Sequence, residues 1–581
     1  MKVVGLLGAL NWKANEFDEP NTYVHDAGAT LFVNGEHIRS INEERLTRVK
    51  DDGSFPRKSI DYVLGDEYKK EDIDIVCYAP AYVDIAQQQL VNQTASRMMR
   101  EVFPNAEVWM VSHHLCHAAS AVFTAPFNSG SFVTLDGLGS GMWDFATGAV
   151  RFGENNSIGY FDKEKNIFRF FRGTSEQGMN SFGEYYCNMS RYIYDQKHRE
   201  IQKMKSSLRG EVFDNIVFAT DFDNTPKEGK IMGLSSYGQD LGQYSPACLS
   251  TEYPKEQFGI DKWEFGLPEV HFYDYEMIWN YLEGTAEDKS FYVQKNFEQA
   301  MMYWVTEMQK AGYLEENNCF AGGCFLNVCA NTLLRPLFKN MHIPPFTNDS
   351  GIHFGAAAWG SFKSKQTITI PENIALMGKE YNDKEIEDVI GFKGAKNVGE
   401  IKYKKYEDFD ELCEVVAGYL DDNKIIGWMQ GRSEYGPRAL GSRSLLMSPR
   451  DKKNKDIMND RVKHREYWRP FAGVMLEEDV GKYFDPGFST PYMLYAQTST
   501  TKKIPAITHA DKSCRIQTVN DTQNARMCQL LRKLEVPILL NTSFNRSGDP
   551  IVETPQDALD SFMKMDIDYL VIGNYLISKW N

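Results

Sequence analysis

The sequence has few of the features that mark secreted, membrane-spanning or nucleic-acid-binding proteins. Its ten cysteines among 581 residues include no CxxC pair, so neither a disulfide framework nor a tetrahedral zinc site is indicated and reduced thiols are expected. No stretch approaches the roughly 18 to 20 apolar residues that a membrane helix needs. The net charge of −16 argues against a general nucleic-acid or anionic-membrane binder. We therefore expect a cytoplasmic protein that binds neither nucleic acid nor membrane.

What is present is a globular composition, 42% hydrophobic and 25% charged, over a length that calls for more than one domain. The opening MKVVGLLGAL reads as a buried strand, since its apolar run stops at Asn11 without a small-residue cleavage site. Apolar periodicity lapses around Pro371. We place a boundary there and predict two mixed α/β domains, residues 1–366 and 372–581.

Several elements can be predicted locally. Asn34-Gly35 separates two strand-like runs and is a strong hairpin signal. The segment between Tyr160 and Glu315 is aromatic and mostly helical in period. The other predicted elements are the strands Val3–Leu10, His25–Val33, His37–Asn42, Ser131–Leu135, Phe320–Phe325, Lys424–Trp428, Ala472–Leu476, Val536–Leu540 and Tyr569–Ile572, and the helices Leu326–Leu334, Asp408–Asp422 and Asp557–Met565.

A histidine pair is the most specific chemical signal in the first half. In His113-His-Leu-Cys-His117 the outer histidines are four residues apart, which on a helix puts both on one face, while His114 points elsewhere. Two neutral imidazoles suit a first-row divalent metal such as Fe²⁺ or Zn²⁺. A helical histidine pair taken alone is more often structural.

Two aspartates change that balance. Asp136 follows a predicted buried strand and opens a glycine-rich turn, and Asp349 lies in a loop before the small-residue segment Gly355-Ala-Ala-Ala. Each is, by itself, more often a turn residue or a helix cap. Two histidines with one or two carboxylates would form a metal site with open positions for a ligand.

Glycine-rich turns recur after predicted strands. His25-Asp-Ala-Gly-Ala-Thr30, the turn with Gly137 and Gly139, and Gly322-Gly323 resemble the two phosphate loops and the adenosine loop of the actin-like (ASKHA) ATPase superfamily, where backbone N–H groups approach phosphates closely. The likeness predicts a nucleotide between two subdomains of the first half.

A wider resemblance covers the chain from about His25 to Gly573. It is carried by the motifs His25-Asp-Ala-Gly-Ala, Asn42-Glu-Glu-Arg-Leu-Thr-Arg48, His113-His-Leu-Cys-His117, Gly229-Lys-Ile-Met-Gly-Leu-Ser-Ser-Tyr-Gly238, Gly322-Gly-Cys-Phe-Leu-Asn327, Gly431-Arg-Ser-Glu-Tyr-Gly-Pro-Arg-Ala-Leu-Gly-Ser-Arg-Ser444 and Asn541-Thr-Ser-Phe-Asn545. Together they resemble the NodU/CmcH/TobZ-type O-carbamoyltransferases. In that family the first domain is similar to the tRNA threonylcarbamoyl transferase and the second to YrdC, an α/β enzyme.

The resemblance implies an enzyme that transfers a carbamoyl group in two steps. The second domain would make carbamoyl-adenylate from carbamoyl phosphate and ATP, used with Mg²⁺, and the first would pass the carbamoyl group to a hydroxyl. By motif, His113, His117 and Asp349 match the metal ligands, Asp136 a further acidic contact, and His25 the general base. The nucleotide-binding residues of the first domain would be Gly137, Gly139, Lys230, Gly322, Gly323 and Asn327, although Lys230 is as readily a solvated surface lysine.

A basic island lies in the second half of this acidic chain. Residues 431–470 hold eleven Lys/Arg and five Asp/Glu, a balance of 11 − 5 = +6, as a site for carbamoyl phosphate and ATP requires. Neutral donors are expected from a loop near 541–545. The predicted residues of this site are Arg432, Arg438, Arg443, Lys463, Arg465, Arg469, Arg515, Asn541, Ser543 and Asn545.

Other functions stay open at this stage. A tRNA threonylcarbamoyl transferase would need a basic surface and a separate adenylating partner. A sugar or acid kinase would not need the helical histidine pair. If the protein were an actin-like ATP-binding regulatory protein, the arginine loop would have no role. The acceptor, expected to be a small molecule such as a natural product, toxin or sugar, is undecided. Compared with the family, this chain has about a dozen extra residues, including Trp12–Thr22, close to the expected acceptor position. Whether the protein forms a homodimer is also open.

Overall fold

The computed structural model describes residues 1–9, 25–79, 82–84, 88–137, 141–144, 149–175, 181–209, 227–242, 282–396 and 401–579. In these ranges the strands form a five-stranded, a seven-stranded and a ten-stranded sheet, which confirms the mixed α/β prediction. The strands, β1 to β22 in chain order, are Lys2–Leu7, Gly28–Val33, Glu36–Asn42, Ile75–Ala79, Tyr82–Asp84, Glu107–Met110, Ser129–Leu135, Gly141–Asp144, Ala149–Asp162, Ile167–Ser175, Asn317–Ala321, Asn340–His342, Ile401–Lys405, Ile426–Met429, Arg443–Met447, Ala472–Leu476, Phe484–Asp485, Ala496–Ser499, Ser513–Val519, Ile538–Ser543, Tyr569–Ile572 and Tyr575–Lys579.

Helices cover the faces of these sheets. The α-helices, α1 to α15 in chain order, are Glu44–Thr47, Arg57–Leu64, Gln88–Val102, His113–Thr124, Phe182–Arg209, Glu228–Leu234, Ala286–Lys310, Val328–Leu334, Ile352–Lys363, Asp383–Lys396, Phe409–Asp421, Lys453–Met458, Val480–Tyr483, Asp521–Arg532 and Pro555–Lys564. Among the helices of the described ranges, none is long and apolar enough to cross a membrane.

The first sheet has the order β3-β2-β1-β4-β6. Its hairpin β2–β3 turns at Asn34-Gly35, whose φ angles of 52° and 82° are those a two-residue hairpin turn of this hand requires. The predicted hairpin is confirmed. The apolar residues of β1 are buried, because the strand pairs with β2 and β4 and packs against α9.

The second sheet runs β12-β11-β7-β9-β8-β5, and β10 pairs with β9. The long antiparallel hairpin β9–β10 occupies the start of the segment predicted to be mostly helical from Tyr160 to Glu315, so that prediction is wrong there. The turn residue Asn166 has a φ of 55°, which an asparagine tolerates. The strand in the region predicted at Phe320–Phe325 begins and ends earlier, at Asn317–Ala321.

In the first half, the backbone of α9 lies very close to the backbones of α4 and β1. A Cβ added to Gly355 in α9 would lie 1.9 Å from the carbonyl oxygen of Cys116 in α4, and one added to Gly5 in β1 would lie 2.0 Å from that of His353. Only glycine permits this spacing. The close packing brings the start of α4 and the residues just before α9 together.

The ten-stranded sheet comprises β13 to β22 and lies wholly beyond residue 400. Ala472–Leu476 and Tyr569–Ile572 occur with the predicted bounds, while the strand predicted at Val536–Leu540 is shifted to Ile538–Ser543. Among the strands of the described ranges, none of β1 to β12 belongs to this sheet. The domain limits 1–366 and 372–581 themselves stay a prediction.

The two halves of the chain contact each other through the segment that connects them and through the segment at residues 550–551. Thr369 bridges to Glu36 beside β3. Arg48 donates to the carbonyl oxygens of Pro550 and Ile551, both at 2.7 Å. These contacts hold residues of one half against backbone groups of the other.

Candidate metal centre and anion site

The predicted histidine pair lies in the first turns of α4, which begins at His113 after Ser112. His113 and His117 are buried, and their Nε2 atoms are 3.1 Å apart. His114 turns away, and its Nδ1 forms a hydrogen bond with Ser157 Oγ at 3.0 Å. The i, i+4 prediction for the two outer histidines is therefore confirmed as geometry.

Two carboxylates complete this group. Asp136 directly follows β7, and its Oδ2 is 3.0 Å from Nε2 of both histidines, while its Oδ1 accepts a hydrogen bond from the Gly323 N–H at 3.0 Å. Asp349 precedes α9, and its Oδ1 is 3.4 Å from the same two nitrogens. Sequence positions more than 200 residues apart thus meet at one point.

The four side chains could hold one metal ion. One ligand atom from each of His113, His117, Asp136 and Asp349 lies within 4.8 Å of the others. Burial lowers the pKa of His113, but Asp349 and Asp136 outweigh it and hold that pKa well above its ordinary value. The pocket therefore attracts positive charge. Two imidazole and two carboxylate ligands fit Fe²⁺ or Zn²⁺, and we find no misfit between these residues and such an ion.

His25, the predicted base, lies beside this group. Its Nδ1 is 3.0 Å from Asp26 Oδ2 and its Nε2 is 3.7 Å from Asp349 Oδ2, and its side chain is 55% exposed. Burial lowers the pKa of His25, whereas Asp349 and Asp26 raise it, to about 10 overall. Asp26 is in turn held by Asn348 Nδ2 at 3.1 Å. Sequence reasoning did not single out Asp26, although it adjoins His25.

The predicted nucleotide residues of the first half have mixed surroundings. Gly322 has a φ of 101° and approaches Leu135 closely, while nothing lies within 4 Å of a Cβ built on Gly137. Asn327 caps α8 and forms a pair of amide hydrogen bonds with Gln294, each 3.1 Å. Gly139 and the segment Trp12–Thr22 lie outside the described residues. The nucleotide role of these residues stays a prediction.

Sequence reasoning also overlooked the start of α5. Ser181 Oγ donates to the Asp136 carbonyl oxygen at 2.7 Å, and a Cβ on Gly183 would lie 2.6 Å from the Gly137 Cα. The long helix therefore begins against the Asp136 turn. The serine followed by an apolar run, Ser181-Phe-Gly, was the available signal of a helix start.

Four cations of the basic island and Arg515 form a cluster. Burial and neighbouring arginines together lower the pKa of Arg515 to about 9 and that of Arg438 to about 10. Burial and the same neighbours lower the pKa of Lys463 and Arg465 as well. We name this group the cation cluster: Arg438, Lys463, Arg465, Arg469 and Arg515.

Lys463 is the most enclosed member of the cation cluster. Its Nζ donates to Ser543 O at 2.6 Å, Asn545 Oδ1 at 2.9 Å, Asn545 O at 3.0 Å and Ser543 Oγ at 3.2 Å. Ser543 and Asn545 therefore use these oxygens to hold the ammonium group. The segment predicted as a loop meets the predicted lysine, although Asn541 and Ser543 lie in β20 and only Asn545 lies beyond that strand.

Two arginines of the cation cluster lack acceptors. Within the ranges that the structure describes, Arg438 and Arg515 have no hydrogen-bond or ion-pair partner, and their Nε atoms are buried. Glu466 approaches Arg469 at 3.6 Å, but it also pairs with Lys230 at 3.1 Å. Like charges held together with so little compensation are typical of a site that receives an anion.

The remaining predicted cations are engaged elsewhere. Arg432 donates to Gly378 O at 2.8 Å and Met377 O at 3.2 Å. Arg443, fully buried, donates to the carbonyl oxygens of Gln430 and Gly431, both at 3.1 Å. Both arginines therefore bind backbone carbonyl groups.

Asn541 and Lys230 complete the predicted set. Asn541 lies in β20 with its Nδ2 3.2 Å from Gln517 Oε1. Lys230, expected near the nucleotide of the first half, instead reaches the second half: its Nζ is 3.1 Å from Glu466 and 3.4 Å from the Tyr194 hydroxyl. Burial raises the pKa of Glu466, yet its hydrogen bonds and these cations lower it to about 2, so the carboxylate is charged.

Comparison with known proteins gives two family matches. The model described as Carbamoyltransferase N-terminus matches residues 20–103 and 170–358, and that described as Carbamoyltransferase C-terminus matches residues 417–579. The matched segments contain His25, Asp349 and the whole cation cluster, whereas His113, His117 and Asp136 lie in the unmatched residues 104–169.

Similar proteins match along the length of the chain. Nodulation protein NolNO of Sinorhizobium fredii is 30% identical over 100% of this chain and 83% of its own. An uncharacterized protein of Synechocystis is 29% identical over 96% of each chain, and nodulation protein NolO of Bradyrhizobium diazoefficiens is 28% identical over 81% of this chain and 79% of its own. Among solved structures, T. kodakarensis HypF covers 63% of this chain and 48% of that chain at 13% identity with a TM-score of 0.33, a likeness too weak to carry an argument.

Proposed function

Since the chain belongs to the carbamoyltransferase family, we propose that it is an ATP-dependent O-carbamoyltransferase that works through carbamoyl-adenylate. Residues 372–581 would form a YrdC-like domain that makes the adenylate, and residues 1–366 an actin-like domain that transfers the carbamoyl group. The proposal assigns one reaction to each of the two sites. The acceptor is proposed to be a hydroxyl of a small molecule.

The adenylation step is assigned to the cation cluster. The C–O–P linkage of carbamoyl phosphate is hydrolysed to carbamate and inorganic phosphate, and a carbamate oxygen then attacks the α-phosphorus of ATP. A new P–O bond forms, the bond to the β-phosphate breaks, and pyrophosphate leaves. Both substrates are polyanions, so the unpartnered forks of Arg438 and Arg515 have phosphate oxygens to bind.

The transfer step is assigned to the histidine–carboxylate centre. The acceptor hydroxyl gives its proton to His25 Nε2 and attacks the carbamoyl carbon, and AMP leaves with the electron pair of the broken C–O bond. Asp26 fixes the ring through Nδ1, which leaves Nε2 for the proton. Asp349 and Asp26 raise the pKa of His25 above its ordinary value, so a cation that neutralises the Asp349 charge would favour the unprotonated base.

A divalent ion fits this centre. His113, His117, Asp136 and Asp349 would hold it, and when bound it supplies Lewis-acid polarisation of the carbamoyl or phosphate oxygens. The Gly323 N–H fixes Asp136 from the opposite side, so the carboxylate is oriented by the protein itself.

One observation carries the proposal: Arg438 and Arg515 of the cation cluster have buried Nε atoms without a partner in the described part of the chain. Desolvated charge is costly to fold. A protein retains it where a ligand of opposite charge compensates. Carbamoyl phosphate and ATP are the anions that we propose for this site.

Incubation with carbamoyl phosphate and ATP tests the proposal. We expect release of pyrophosphate and inorganic phosphate and no ADP, with pyrophosphate–ATP exchange that requires carbamoyl phosphate and is lost in Arg438→Ala. Release of ADP would indicate a kinase, and absence of any release would favour an ATP-binding regulatory protein. Exchange that persists in Arg438→Ala would overturn the assignment of this step to the cation cluster.

A further inference from the structure

Tyr435 is a buried residue of the second half that reaches the first. It lies in the loop 431–444 and is 2% exposed. Its ring centroid is 4.5 Å from that of Phe346, and its hydroxyl donates to the Ser350 carbonyl oxygen. Ser350 directly follows Asp349. The tyrosine is therefore bonded to the backbone of the segment that carries a predicted metal ligand.

The same tyrosine belongs to the framework of the cation cluster. Glu434, its neighbour in sequence, accepts hydrogen bonds from the N–H groups of Leu440, Ser442 and Arg443 through one carboxylate oxygen, at 2.8, 2.7 and 2.9 Å. These contacts close the loop around Arg438. A shift of Tyr435 therefore moves the backbone that presents an arginine of the cation cluster.

Few rearrangements are open to Tyr435. Its N–H donates to Ala375 O at 2.8 Å. Its hydroxyl is 3.2 Å from His353 Nε2, and Nδ1 of that histidine is 2.9 Å from Thr30 Oγ1. Gly436 follows with a φ of 110°, and a Cβ there would lie 2.9 Å from Pro345 O. The contact is thus fixed at both ends, as a rigid connection requires.

We propose that Tyr435 is a positioning residue that couples the two sites, so that an anion at the cation cluster and a divalent cation at the histidine–carboxylate centre each strengthen the binding of the other. The inference rests on the proposed function for the identity of the two ligands. Its physical basis is the hydrogen bond from Tyr435 to Ser350, which joins the two loops. A ligand that orders one loop therefore also restricts the other loop, and the second ligand then binds with a smaller loss of conformational entropy. Coupling of this kind is reciprocal.

Cobalt(II) and inorganic sulfate are suitable probes, since sulfate binds cobalt only weakly. Cobalt binding to the full chain would be titrated by visible absorption with sulfate and with chloride at equal ionic strength. We expect sulfate to tighten cobalt binding about fivefold in the wild type and less than about twofold in Tyr435→Phe. The phenylalanine keeps the ring contact with Phe346 and removes only the hydroxyl.

Tyr62→Phe is the matched control, because the Tyr62 hydroxyl also crosses between the halves, to Glu553 Oε1 at 2.9 Å, without touching the Asp349 segment. It should keep the fivefold effect. If Tyr435→Phe fails to fold, Phe346→Leu loosens the same contact and should reduce the effect. Unchanged coupling in the tyrosine variant, or none in the wild type, would overturn the inference. Pyrophosphate release from carbamoyl phosphate and ATP distinguishes a failure of this inference from a failure of the proposed function. Release without coupling would refute only the role of Tyr435, whereas no release would refute the proposed function.

Discussion

Replacing Arg438 with methionine should stabilise the free protein and strongly slow the proposed adenylation reaction. Burial and Arg469 lower the pKa of Arg438 from 12.5 to about 10, so the folded state holds this charge at a cost of ~3 kcal/mol at most. The side chain is partly exposed, and solvent screening reduces the figure to about 1 to 2 kcal/mol. Methionine keeps an apolar stem of similar length and removes the charge.

The effect has a defined pH range. At pH 7 Arg438 is protonated in both the folded and the unfolded chain, so its lowered pKa opposes folding throughout the neutral range. That penalty fades only as the pH rises above about 10, where the folded form loses the proton first. We therefore expect Arg438→Met to raise the urea midpoint at pH 7.

Arg432→Met is the control of opposite sign. Arg432 lies in the same loop but donates to the carbonyl oxygens of Gly378 and Met377, and removing it leaves acceptors without donors at a cost of about 1 to 3 kcal/mol. Exchange of pyrophosphate into ATP should fall about 100-fold in Arg438→Met, since loss of a charged, forked contact costs about 3 kcal/mol. If Arg438→Met lowered the urea midpoint as Arg432→Met does, or retained exchange within about twofold, the argument from unpaired buried charge would be refuted.

Four further predictions follow from the first half. Asp136→Asn should weaken cobalt binding at least ~100-fold, read with a competing chromophoric chelator, because it removes the charge that faces both histidines while the Gly323 N–H still has an oxygen to bind. His25→Gln should slow carbamoyl transfer by about 10²–10⁴-fold and leave pyrophosphate release unchanged. Metal affinity should rise with pH through the neutral range. The carboxylates raise the pKa of both histidine ligands, so protons bound to the imidazoles must leave when the metal binds. Calorimetry in buffers of different ionisation enthalpy would count those protons. Gly355→Ala should lower the thermal midpoint and the metal affinity together, because its Cβ would lie 1.9 Å from Cys116 O.

The parts of the fold that the sequence predicts well are those fixed by short-range rules. The turn Asn34-Gly35, the helix that places His113 and His117 on one face, and the strand Tyr569–Ile572 all depend on neighbours within a few residues. The hairpin β9–β10 had a period-two signal as well, with Phe168 and Phe170 on either side of exposed Arg169. The helical period predicted from Tyr160 onward does not account for this alternation.

The arginines show why a charge pattern cannot assign a site by itself. Arg432, Arg438 and Arg443 stand within twelve residues of one another, and each has the chemistry of a phosphate ligand. Only the fold separates them, because the carbonyl groups that bind Arg432 and Arg443 come from the segment near 377 and from the turn after β14. The sequence predicts that anions bind in this region, and the backbone decides which guanidinium groups remain for them.

The arrangement of charges also gives a reason for the close contact between the halves. The first site gathers carboxylates and the second gathers cations, so each is incompletely compensated until it binds a ligand of opposite sign. In the proposed function, the adenylate made at one site and used at the other would be short-lived in water, and a loose connection would release it. The hydrogen bonds that prevent such looseness, from Tyr435 to Ser350 and from Arg45 to Gly436, end on backbone carbonyl groups. Any residue type supplies a carbonyl, so these bonds leave no mark in the sequence of the residues that accept them, and the coupling of the two sites becomes visible only in the folded chain.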